Sequence, residues 1–218
     1  MDIGQVLLQY LCLLFSLSFH EAAHAAAANQ CGDPSARLMG RLTLNPLAHI
    51  DPIGTVVLPL IMMVTGVPFL FGWAKPVPFN PRNLRDVRKG SALIGISGPL
   101  SNLVLAILFA AILRVLVLAT GVDSSQALMS SPLCLVALTM VGINLVLMIF
   151  NLIPVPPLDG HHVLYLFLPT EIQRRLEQIG PFGILIAVLL ARPLIGTVMP
   201  VLMGLLLSIA FFGTTMGN

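Results

Sequence analysis

The chain has 218 residues, 11 basic and 9 acidic side chains and a formal net charge of +2, with 57% hydrophobic and 9% charged residues. A soluble domain carries roughly 25% charged residues, so this chain cannot cover a globular surface with polar groups. That excludes a soluble enzyme, a disordered regulator and a secreted disulfide scaffold. Mean hydropathy is +0.96, and a membrane span needs about 20 apolar residues. Length and composition together predict an all-α, polytopic transmembrane helical bundle of about five to six spans, as a single integral membrane domain over 1–218. No basic patch is dense enough for nucleic acid. Cys12, Cys31 and Cys134 lie far apart and suggest neither a disulfide framework nor a thiolate metal site.

Apolar runs cover 3–28, 53–72, 91–119, 131–153, 179–191 and 194–213. The first resembles a signal peptide, but residues 1–5 carry no Lys or Arg. A signal peptide needs a basic start, so the run reads as a retained span. Near its end stand His20, Glu21 and His24. On a helix the two histidines are one turn and about 40° apart, so both imidazoles reach one metal ion. This H-E-x-x-H spacing supplies two zinc ligands and a general base, Glu21. Three ionisable groups in an apolar span are costly and functional by default.

Catalytic zinc takes three protein ligands and keeps one open position. The acidic candidates for the third are Asp2, Asp33, Asp51, Asp86, Asp123, Asp159, Glu171 and Glu177. Asp159 stands out because it follows an apolar run and the prolines 154, 156 and 157. Broken backbone at membrane depth is what a ligand loop looks like. His49 and Asp51 read either as partners of the ligands or as a turn between prolines. Lys75 reads as an interface anchor, with binding of a substrate carboxylate as the alternative, and Arg114, inside an apolar run, as a snorkelling side chain.

The H-E-x-x-H at 20–24, with Asn151, Leu152, Ile153, Pro154 and then Asp159-Gly160, resembles the site-2 proteases, the intramembrane zinc metalloproteases. The segments 45–54, 72–78 and 98–102 resemble the compact bacterial branch, without PDZ or CBS domains. The resemblance implies that His20, His24 and Asp159 hold one zinc ion per chain. It implies Glu21 as the catalytic base and places Asn151 near the substrate carbonyl. The implied activity is hydrolysis of peptide bonds in or near transmembrane segments. The implied partners are a membrane-protein or transmembrane-peptide substrate and the lipid bilayer. His161 and His162 are a departure from the expected pattern and read as supporting or interfacial residues, with an extra metal ligand as the alternative.

A shared metal puts the end of the first span and the end of 131–153 on one side. The stretch between 28 and 91 must then cross an even number of times. Its one clear apolar run, 53–72, contains Pro59, Gly66 and Pro68, so it is expected to be re-entrant or broken into two arms. Connections 29–52, 73–90 and 154–178 then share a side and hold nine of the eleven basic residues. The positive-inside rule makes that side cytoplasmic, in a multi-pass protein of the bacterial inner membrane. Residues 45–54 are the expected edge for an unwound substrate strand. The alternative function is a metal or proton transporter using the same His/Asp cluster as a transit site.

Overall fold

In a computed structural model of the chain, the described residues are 3–65, 72–121, 125–180 and 182–211. Residues 66–71 of the 53–72 run, with Gly66 and Pro68, lie outside them, as do Asp2 and Asp123. The described residues are helical, without strands. Helices α1 (Ile3–Cys31), α2 (Ser35–Leu38) and α3 (Leu58–Thr65) are followed by α4 (Val87–Thr120) and α5 (Ser125–Ser130). Then come α6 (Pro132–Asn151), α7 (Gly160–Leu164), α8 (Thr170–Glu177) and α9 (Phe182–Ala210). Four of these, α1, α4, α6 and α9, are long and apolar enough to cross a membrane.

Local chemistry sets their ends. Asp86 caps α4 by accepting from the Lys89 N–H, and Gly121 closes it at φ 63° with its N–H on the Val117 carbonyl. Pro132 opens α6, where its missing N–H costs nothing. The two runs expected at 179–191 and 194–213 are one 29-residue helix, α9, with Pro193 and Pro200 inside it. Only Arg192 and Pro193 separate those runs, too short a stretch for a turn. A membrane helix tolerates proline inside it, and between the two prolines the Thr197 hydroxyl donates to the Pro193 carbonyl at 2.8 Å.

Helix α4 is central and packs against α1, α6, α7 and α9. Small residues at the contacts, Ala25 and Ala28 on α1 and Ala106 and Ala110 on α4, are almost wholly buried. They let helix backbones approach closely where lipid supplies no hydrophobic drive between spans. Ala106, Ala110, Val141, Leu145 and Leu206 form one core cluster. The opposite faces expose Leu100, Val104, Ile107, Leu185 and Leu189, as lipid-facing surfaces require.

The stretch between α1 and α4 returns to its starting level. The Arg85 N–H donates to the Cys31 carbonyl at 3.0 Å, joining the end of α1 to the approach to α4. Within that stretch the Trp73 N–H donates to the Gly54 carbonyl at 3.3 Å, and the Thr55 hydroxyl donates to the Trp73 carbonyl at 2.8 Å. Both ends of the 53–72 run therefore lie side by side, which fits the re-entrant or broken form and not a single crossing. The expected edge at 45–54 is not extended: Pro46–His49 is a 3₁₀ turn and Pro52–Val57 a π turn capped by Asp51. Prolines at both turn starts favour helical φ there. Residues 72–80 carry no regular secondary structure.

Candidate metal centre

Three elements bring the centre together. α1 supplies His20, Glu21 and His24 from its buried face. α4 passes alongside with Ile94, Gly95, Gly98 and Asn102. The proline-broken connection after α6 supplies Asp159 immediately before α7. Among the described residues, His20, His24 and Asp159 are the one group of three such side chains whose donor atoms converge, all within 4.8 Å.

Their hydrogen bonds show what the group can hold. His24 Nδ1 lies 2.7 Å from the Ile94 carbonyl, which only accepts, so Nδ1 carries the hydrogen. His20 Nδ1 lies 2.7 Å from Asn102 Oδ1, again an acceptor. Each Nε2 is then a bare lone pair. The two Nε2 atoms are 3.0 Å apart, and the Asp159 oxygens lie 3.0 Å from His20 Nε2 and 3.3 Å from His24 Nε2. Asp159 Oδ2 is buried and accepts no hydrogen bond. Three mutually facing acceptors repel one another and are satisfied by a cation between them. Zinc–ligand bonds of about 2.0–2.2 Å in a tetrahedron put donors about 3.3–3.6 Å apart, close to the spacings here. The residues fit zinc.

Glycines on α4 make room for the centre. A Cβ at Gly98 would sit 2.6 Å from His20 Cε1 and Nε2, and one at Gly95 2.8 Å from the Asp159 carbonyl. Glu21 is buried outside the converging set, and its Oε2 accepts from the Val77 N–H at 2.9 Å. Val77 stands between Pro76 and Pro78, which have no N–H, so its amide is the one donor in that triplet.

Asn151 ends α6 with its amide nitrogen donating to the Leu147 carbonyl at 3.0 Å, which leaves one N–H of that amide. His161 and His162 stack at 3.9 Å, apart from the converging set. His49 contacts the Thr43 carbonyl and Asp51 caps the π turn, which is the turn reading of both. Lys75 is exposed, as an anchor is. Arg114 does not simply snorkel: its guanidinium donates to the Ile209 carbonyl on α9 at 3.0 Å. Sequence reasoning gave no role to Asn102, Asn144 or Val77. The two asparagines were detectable as lone amides inside apolar runs.

Residues 120–191, which include Asn151 and Asp159, match Peptidase family M50. A protein of Bacillus subtilis (strain 168) named as a candidate zinc metalloprotease, YwhC, is 39% identical over 185 residues, covering 84% of this chain and 80% of the relative. The chain belongs to family M50, the site-2 proteases. Another relative, Rip2 of Mycolicibacterium smegmatis, also named as a candidate zinc metalloprotease, is 30% identical over 188 residues, covering 86% of this chain and 68% of its own length. Rip2 of Mycobacterium tuberculosis (strain H37Rv) is 30% identical over 177 residues, covering 81% and 63%. No solved structure gives a significant match.

Proposed function

We propose that the protein is an intramembrane zinc endopeptidase, a single integral membrane domain of the bacterial inner membrane that hydrolyses peptide bonds in or near transmembrane segments. One zinc per chain is held by His20, His24 and Asp159. The observation that carries this reading is the convergence of two bare imidazole nitrogens and an orphaned carboxylate oxygen beside a buried, unligated Glu21. When bound, zinc supplies Lewis acidity toward a carbonyl oxygen and toward water.

The chain's own groups do the rest. Glu21, with Oε2 held by the Val77 N–H, keeps Oε1 to take a proton from the attacking water and return it to the leaving amine. The second N–H of the Asn151 amide stabilises the developing oxyanion. A helical substrate has its carbonyls engaged in hydrogen bonds, so it must unwind locally before the site can act. With α1, α4 and α6 crossing as the connections require, the basic connections face the cytoplasm.

A metal or proton transporter built on the same cluster is not favoured: it gives Glu21 no task. The discriminating experiment compares purified protein in detergent with a reporter transmembrane peptide and the same protein in liposomes loaded with a zinc dye. Chelator-sensitive cleavage without zinc flux is expected. Zinc flux without cleavage would replace the proposal with the transporter.

A further inference from the structure

Two asparagines and a serine are fully buried inside the spans, Ser16 on α1, Asn102 on α4 and Asn144 on α6. An amide in a span costs free energy unless paired, and these pair with one another in a fixed order. The order follows from one end. The Met140 carbonyl only accepts, so the Asn144 group facing it at 2.8 Å is the amide nitrogen. That nitrogen also donates to Ser16 Oγ at 2.9 Å. Asn144 Oδ1 is then turned to Asn102 and accepts from its Nδ2 at 2.9 Å. Asn102 therefore presents Oδ1 to His20 Nδ1 at 2.7 Å, and the hydrogen on His20 must sit on Nδ1. Reversing any amide would set donor against donor or acceptor against acceptor down the line.

We infer that Asn144 and Asn102 are positioning residues for the metal centre: a directed hydrogen-bond relay from the α6 backbone that locks His20 in the tautomer whose bare Nε2 faces the other ligands. The inference rests on the proposed zinc site and extends it to a third span. Asn144 touches no ligand and acts through Asn102. A partner on the far nitrogen of a ligating histidine fixes its ring and tautomer, and losing it typically costs about 10–100-fold in metal affinity or activity.

The test is the zinc dissociation constant of the purified full chain in detergent, read by competition with a chromophoric chelator, with the melting temperature alongside. Wild type should bind one zinc; if it does not, the zinc proposal itself fails. Given that binding, Asn102→Ala and Asn144→Ala should each weaken it about 10–100-fold. The double variant should be no weaker than Asn102→Ala, because in the relay Asn144 reaches the His20 ring through Asn102. Asn102→Asp retains the acceptor and should hold zinc close to wild type, even though a buried carboxylate lowers the melting temperature. Residues that merely pack the spans would rank the variants in the opposite order. Ser16→Ala leaves the Met140 carbonyl in place and should keep wild-type affinity, which covers the case in which the alanine variants do not fold. The inference is overturned by wild-type affinity in Asn144→Ala, by losses that multiply in the double variant, by Asn102→Asp as weak as Asn102→Ala, or by a tenfold loss in Ser16→Ala.

Discussion

At the scale of single residues, the proposal separates holding the metal from moving the proton. His24→Ala and Asp159→Ala each remove one of three converging donors and should abolish stable zinc binding, measured by metal analysis; full occupancy in both would reject the ligand set. Gly98→Ala should do the same without replacing a ligand, because its methyl would sit 2.6 Å from His20 Cε1 and Nε2. Zinc retained at wild-type affinity there would show that α4 gives way freely. Asn151→Ala removes the proposed oxyanion donor, and turnover should fall about 10²–10³-fold with zinc retained. An unchanged turnover would leave Asn151 as the residue that closes the last turn of α6 through the Leu147 carbonyl. The convergence of His20, His24 and Asp159 was readable in sequence because helical periodicity fixes His20 against His24 and three prolines isolate Asp159. The partners of the ligands were not, since Asn102 and Asn144 meet only after three spans have packed.

At the scale of elements, the 53–72 run shows what composition hides. Twenty apolar residues suffice to cross a membrane, yet the bonds Trp73–Gly54 and Arg85–Cys31 bring both flanks back together. Parity of a shared zinc site, not hydropathy, foretold this. The merging of two runs into α9 went the other way, because proline breaks soluble helices more readily than membrane ones. Thiols introduced as Arg37→Cys and Arg85→Cys, both exposed positions, in a background lacking Cys12, Cys31 and Cys134 should both be labelled from the cytoplasmic face by an impermeant reagent. Labelling from opposite faces would show a single crossing between them.

The same turn carries a pH signature. Asp33 accepts from the Ser35 N–H and hydroxyl, the Asn80 N–H and the Asn83 amide, tying the end of α1 to the approach to α4. Burial alone would raise its carboxyl, but these bonds outweigh it and hold it at about 2. A carboxyl is near 3.9 when unfolded, so the folded value is depressed. Its stabilisation is fully present above about 4 and is lost as pH falls towards about 2. Asp33→Asn should lower the melting temperature at neutral pH and flatten its fall over that acid range. An acid slope identical to wild type would assign the sensitivity to other carboxylates.

At the scale of the whole molecule, four long helices, a returning segment and a proline-broken connection bring His20, His24 and Asp159 together inside an apolar helical bundle. Family M50 membership accounts for the metalloprotease chemistry; the proposed site within the bundle adds where that chemistry takes place. The most direct measurement pairs cleavage with metal content on the same samples: wild type and Glu21→Gln, purified in detergent, each given a reporter transmembrane peptide whose products are read by mass spectrometry. Wild type should carry one zinc and cut within or beside the apolar segment, and chelation should stop it. Glu21→Gln should carry the same zinc and cut nothing. Cleavage by Glu21→Gln at the wild-type rate, or by wild type stripped of zinc, would contradict an intramembrane zinc peptidase that uses Glu21 as its base.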